Sequence, residues 1–186
     1  MDKFTIVLVH GTGGYDADWF PNIAEALEKR RVPFTIPTLP TKKPIFVDTW
    51  LKELHKTVKK FHAPIVFVGY SLGTRTVLLY LEKYQPRVQH VFFVSAFSND
   101  TKNALRNDND YPSFFTHKIN TKNILQNVPA FTILHSTDDD SIPYEQAIEL
   151  SGELSAELIT FQGKGHFCKP EYFKDVLSVL EKKLGI

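Results

Sequence analysis

The residue with the clearest chemical promise is a serine held between two glycines. Val68-Gly69-Tyr70-Ser71-Leu72-Gly73 ends the apolar run 63–68 and opens a helix-like stretch. In the pattern G-x-S-x-G a strand turns sharply into a helix and holds a serine Oγ out at its tip. Gly69 and Gly73 are needed because a β-carbon at either place would collide with neighbouring backbone. Serine is a poor nucleophile at its own pKa and requires an adjacent base. His166, in Gly163-Lys164-Gly165-His166, occupies a flexible turn from which an imidazole can lean back towards Ser71. A carboxylate must hold that imidazole by its Nδ1–H and stabilise the imidazolium. Ser136-Thr137-Asp138-Asp139-Asp140-Ser141-Ile142-Pro143 offers three, and any of them could point inward. Asp140 is the one better suited to capping the turn into the next helix. The carboxylates left over are expected to be solvated turn formers.

Such a set performs acyl transfer, and the tetrahedral intermediate then needs donors for its oxyanion. The backbone N–H of Leu72, at the start of the helix, is one; the Thr12 N–H, in the loop after the first apolar run, is the other. That loop, His10-Gly11-Thr12-Gly13-Gly14, lacks the Gly-Lys-Ser/Thr end of a phosphate loop and the spacing G-x-G-x-x-G, which argues against phosphate binding. His10 is expected to fix the loop through hydrogen bonds. The other histidines (His55, His62, His90, His117, His135) show no metal-ligand spacing, so no metal is expected. His117 is read as a surface residue and Cys168 as a packing residue. Phe114 and Phe115 are candidates for an apolar wall against an acyl group, with ordinary packing against the sheet an equal reading.

These residues need a scaffold that brings them to one edge. Short apolar runs at 4–9, 33–36, 64–68, 90–94, 130–135 and 157–161 alternate with amphipathic stretches at 18–30, 49–60, 72–84, 144–150 and 170–184. That alternation predicts an α/β fold, a mostly parallel sheet of about six strands with helices on both faces. The runs are Val, Ile and Phe without polar alternation, as strands buried on both faces require. Pro21 fits the first turn of its helix, and Asp48 or Thr49 is expected to cap the second helix. The 72–84 stretch is apolar nearly all round and is expected to be the buried helix behind the serine. The segment 98–127, rich in Asn, Asp and Thr with aromatics at Tyr111, Phe114 and Phe115, is a long connection of the kind that is usually functional or mobile.

Bulk properties narrow the setting. At 186 residues the chain is expected to be one domain, residues 1–186. With 22 basic and 21 acidic residues the net charge is +1, which draws the protein neither to nucleic acid nor to an anionic membrane. One cysteine allows no intramolecular disulfide, so a reducing, cytoplasmic location is expected. The apolar stretch 4–9 is too short for a leader peptide, and no run approaches a membrane span.

The order serine, acid, histidine, together with the segments quoted above, resembles the α/β-hydrolase superfamily. Asp18-Trp19-Phe20-Pro21, Leu39-Pro40 before a helix containing Trp50, Val94-Ser95-Ala96-Phe97 and Gly165-His166-Phe167 add a narrower likeness. With them the chain looks like the small YdeN-like serine hydrolases, the group that also includes the retinoblastoma-binding hydrolase. The resemblance spans nearly the whole chain. It implies a compact hydrolase fold without the first two strands and without a cap domain. It also implies esterase-like activity on small acyl substrates with no cofactor. Related enzymes place the acid four residues before a proline, which selects Asp139 to stand with Ser71 and His166, and leaves Asp138 as the fallback. The L-x-C-x-E partner motif of the retinoblastoma-binding member does not fit around Cys168, so that protein partner does not carry over. The same three residues could serve a peptidase or thioesterase; a non-catalytic binding module on the same scaffold is a further alternative, against which the intact set of three argues.

Overall fold

The computed structural model of the protein describes residues 4–99 and 109–186. Among these, six strands form one sheet: β1 (Thr5–Val9), β2 (Phe34–Thr35), β3 (Ile65–Tyr70), β4 (Val88–Val94), β5 (Phe131–Ser136) and β6 (Glu157–Phe161). Every neighbouring pair is parallel, in the order β2-β1-β3-β4-β5-β6. The chain therefore winds one way from β1 to β2 and the other way from β3 onward. The crevice at that reversal, outside the carboxyl ends of β1 and β3, is where open α/β sheets bind ligands.

Helices α1 (Phe20–Lys29), α2 (Val47–Val58), α3 (Leu72–Tyr84), α4 (Thr121–Leu125), α5 (Tyr144–Leu154) and α6 (Phe173–Leu184) fall between and after the strands. Successive strand residues point to opposite faces, and the core divides accordingly. Val7, Val9, Phe67, Val91, Phe93 and Ile133 pack with α2, α3, α4 and α5. Ile6, Leu8, Val66, Val68, Phe92, Val94 and Leu134 pack with α1 and α6. Each such side chain contributes about 2 kcal/mol when fully buried, so both faces must be apolar. The missing polar alternation follows from this.

Local differences from the sequence reading have local causes. Helix α2 starts at Val47 with Phe46 as its N-cap and no side-chain cap bond, so neither Asp48 nor Thr49 caps it. Asp48 instead lies in the first turn, where a carboxylate favours the helix dipole. At α1, Asp18 takes a left-handed φ of 54° and Trp19 is the N-cap, which delays the helix to Phe20 with Pro21 in its first turn. Helix α5 runs on to Leu154, beyond the expected 150. The expected last helix opens as a 3-10 turn, Pro170–Tyr172, before α6. Helix α4 lies within the long connection and was not anticipated; Asn120 Oδ1 caps it by accepting from the Asn123 N–H at 3.3 Å. Residues 100–108 of that connection lie outside the described residues.

Candidate active site

Ser71 stands between β3 and α3 with φ 51° and ψ −123°, a conformation a non-glycine residue holds only when its surroundings over-determine it. They do so from three sides. The Ser71 N–H donates to Val94 O (3.0 Å), and Thr74 Oγ1 donates to Ser71 O (2.7 Å). Gly69 passes so near α3 that a Cβ there would lie 3.0 Å from Thr74 Cα, and one on Gly73 would lie 2.1 Å from Val9 O. A Cβ on Gly11 would come within 3.0 Å of Ser71 Cβ, so the loop after β1 also reaches the serine only as glycine. Every residue from Ser71 to Leu81 is buried, as a helix enclosed behind the turn must be.

His166 bridges this serine to an acid. Its Nε2 is 2.9 Å from Ser71 Oγ, and its Nδ1 is 2.9 and 3.0 Å from the two oxygens of Asp139. A carboxylate only accepts, so Nδ1 carries the proton and Nε2 is left to accept from the serine hydroxyl. The Asp139 side chain is fully buried, whereas that of His166 is 13% exposed. Burial by itself raises the Asp139 pKa. The His166 hydrogen bond and charge, the Ile142 N–H and the nearby Ser95 hydroxyl outweigh it, and the carboxyl lies below its ordinary 3.8. Ser95 Oγ contributes from close by without meeting hydrogen-bond geometry. His135 flanks the same carboxylate at 3.5 Å, but burial holds it neutral and its Nε2–H donates to Ile142 O (2.9 Å).

The acidic run divides its labour differently from the sequence reading. Asp139 Oδ1 itself accepts the N–H groups of Ser141 (3.0 Å) and Ile142 (2.8 Å), so it caps the turn that Asp140 was expected to cap. Asp140 accepts the Ser141 hydroxyl, at 3.2 Å. A second correction concerns Asp138, which is no idle turn former. Its Oδ1 accepts from Ser136 Oγ (2.5 Å), Gly163 N–H (2.9 Å) and Gly165 N–H (3.3 Å), while Ser136 Oγ accepts from Lys164 N–H (3.1 Å). The loop that presents His166 is thus built on the turn that presents Asp139. Tyr70 holds it from the other side, donating its hydroxyl to His166 O at 2.8 Å. Phe167, fully buried at φ 57°, anchors the loop between Phe161 and Tyr172. No sequence signal marked Tyr70, because the x of G-x-S is free; only the pairing of two distant loops reveals it and Asp138.

A cavity of about 170 Å³ opens over the serine, lined by Thr12, Ser71, Leu72, Phe97, Tyr111, Phe115, Ser141 and His166. Thr12, Leu72 and Phe115 were candidate site residues from the sequence and Tyr111 was noted among the aromatics of the long connection; Phe97 and Ser141 were not proposed as lining residues. Phe114 does not line it. Its ring turns instead to Trp50 (5.6 Å, edge-on). Trp50 in turn donates to Pro40 O (2.8 Å) and stands edge-on to His10 (5.5 Å). His10 donates from Nδ1 to Gly11 O (2.7 Å) and accepts the Leu39 N–H at Nε2 (3.2 Å), and burial keeps it neutral. His117 lies at the surface, 2.7 Å from Glu82. Cys168, read as a packing residue, is exposed instead, with Sγ 3.5 Å from Tyr70 Oη. Among the described residues no cluster of three His, Cys, Asp or Glu could hold a metal ion, and no helix is long and apolar enough to cross a membrane.

Comparison with known proteins bears on the family and the fold. The serine hydrolase family model matches residues 6–180. Serine hydrolase RBBP9 of Rattus norvegicus is 27% identical over 190 residues, covering 96% of this chain and 94% of its own. The crystal structure of the ydeN gene product of Bacillus subtilis superposes with a TM-score of 0.85 at 23% identity, over 98% of this chain and 99% of that one. Est1E of Butyrivibrio proteoclasticus gives 0.75 at 16% identity, over 99% and 88%. At those identities the two structures speak for the fold, and the family match speaks for the chemistry. The chain belongs to the serine hydrolase family, in the YdeN and RBBP9 branch of the α/β-hydrolase superfamily.

Proposed function

We propose that this enzyme hydrolyses carboxyl esters of small acyl substrates, with Ser71 as nucleophile, His166 as general base and acid, and Asp139 as the carboxylate that orients His166. The observation that carries the reading is the imidazole standing 2.9 Å from Ser71 Oγ and 2.9 Å from the Asp139 carboxylate at once. In the first step Ser71 Oγ attacks the ester carbonyl as its proton passes to His166 Nε2. The negative charge that develops on the carbonyl oxygen is met by the backbone N–H groups of Leu72 and Thr12, two residues of the cavity wall. The protonated imidazole, stabilised by Asp139, then gives its proton to the departing alcohol. Water repeats the sequence on the acyl-enzyme and frees the acid, with no cofactor required. The single cysteine supports a reducing, cytoplasmic setting for this activity.

Labelling with a fluorophosphonate probe, followed by mass-spectrometric localisation of the adduct, tests nucleophile and activation together. The adduct is expected on Ser71. Ser71→Ala should lose both labelling and turnover of short-chain aryl esters, by a factor on the order of 10⁴ or more. Retention of most of either would remove Ser71 from its role.

A further inference from the structure

Arg75 lies one helical turn beyond Ser71 on α3 and is fully buried. A guanidinium in such a place must have its donors occupied, since an unpaired buried charge is very costly. Arg75 Nε donates to Phe114 O (2.9 Å), Nη1 to Asn99 Oδ1 (3.2 Å) and Nη2 to His117 O. All three acceptors are neutral, and burial lowers the guanidinium pKa to about 10, which leaves it charged at neutral pH. An apolar side chain would fill the same space without that cost. What the cation adds is geometry. Asn99 extends its hold by accepting the Ile119 N–H (2.9 Å) and donating to Ile119 O (2.7 Å). Four points of the connection, at 99, 114, 117 and 119, are thereby fastened to the helix that starts at the nucleophile.

The fastened segment is the wall of the cavity. The Arg75 guanidinium sits over the Phe115 ring, 5.6 Å from its centre, and Phe115 meets Phe97 edge-on at 5.3 Å. Phe97, Tyr111 and Phe115 are the aromatic residues that line the space over Ser71. That space, about 170 Å³, lies below the ~300 Å³ at which pockets for drug-sized ligands begin.

We infer that Arg75, acting with Asn99, is the positioning residue that fixes the Phe97–Tyr111–Phe115 wall and so limits the enzyme to short acyl groups. The inference rests on the acyl-transfer reading of the same site. It is tested with two alkyl phosphonofluoridates that share all groups except a two-carbon or an eight-carbon chain on phosphorus. Ser71 Oγ bonds to phosphorus, its proton passes to His166 and fluoride leaves, so the inactivation rate reports the fit of the chain. The ratio of the two rates is the reading, because a change in general stability or in the nucleophile lowers both alike. The unsubstituted enzyme should favour the short chain, and Arg75→Met and Asn99→Ala should each cut that preference by about tenfold, the scale on which pockets discriminate chain length. Phe115→Ala should move it the same way, and Arg75→Lys, which keeps the charge and part of the donor set, should fall between. An unchanged ratio in folded Asn99→Ala overturns the inference even if Arg75→Met does not fold. Absence of labelling in the unsubstituted enzyme overturns the nucleophile reading and the inference with it. Labelling without ester turnover would sink the ester reading alone, since the rate ratios are still measured.

Discussion

Two adjacent aspartates in this site do work of different kinds, and that difference can be measured. Asp139 holds the imidazole through Nδ1 and caps the following turn, whereas Asp138 reaches neither the imidazole nor Ser71 and ties down the loop through Ser136, Gly163 and Gly165. Asp139→Asn should lower kcat by about 10³- to 10⁴-fold, since an amide can offer its own N–H and force the wrong tautomer. Asp138→Asn should lower it by no more than about tenfold, and a greater loss there than at Asp139 would overturn the choice of acid. Tyr70→Phe removes the bond to His166 O, worth about 1 kcal/mol, along with the weaker contact to Cys168 Sγ, so kcat should fall about fivefold with KM little altered. Steady-state kinetics on one aryl ester checks all three. At this scale Ser71 and His166 were legible because glycines mark their turns in the chain. Asp138 and Tyr70 were not, since each acts on a residue far away in sequence.

At the scale of elements, the register between α3 and β1 decides where the serine stands. Gly73 is the contact: a Cβ there would lie 2.1 Å from Val9 O and 2.7 Å from His10 O, both backbone atoms that no rotamer change can move. Gly73→Ala should therefore cost about 3 kcal/mol or more, at the upper end of overpacking, and should displace Ser71 as well. Gly152, inside α5, has nothing within 4 Å of the same added atom. Gly152→Ala should stabilise by about 0.5 to 1 kcal/mol. Urea unfolding of both variants, with activity measured alongside, separates crowding from helix propensity. The strands and long helices could be read from apolar runs and their spacing. Helix α4 could not, because five residues carry too little periodicity, and the start of α2 was misplaced because Phe46 caps it without using a side chain.

For the whole molecule, buried neutral histidines set the response to acid. Burial lowers the pKa of His10 and His135, and that of His90 falls to about 4 from an ordinary 6.5. The unfolded chain takes up protons below 6.5 that the folded one refuses, so stability is full above that pH and declines as the solution is acidified towards pH 4. Asp139 acts further down: its folded pKa is depressed, so its contribution is complete above 3.8 and is lost as pH falls through the folded value. The unfolding midpoint should drop steadily from pH 7 to pH 4, and His90→Gln should flatten that slope; a flat profile in the unsubstituted protein would refute the account. The sequence by itself determined the layered α/β architecture, the turn that exposes Ser71 and the loop that bears His166, since these rest on local spacing and on which side chains avoid water. Only the tertiary structure decided that Asp138 braces the loop of the histidine, that Phe115 rather than Phe114 faces the cavity, and that a buried arginine holds its wall. Those outcomes depend on where separate loops come to rest at one edge of the sheet, a matter of packing over long chain distances that no local pattern encodes.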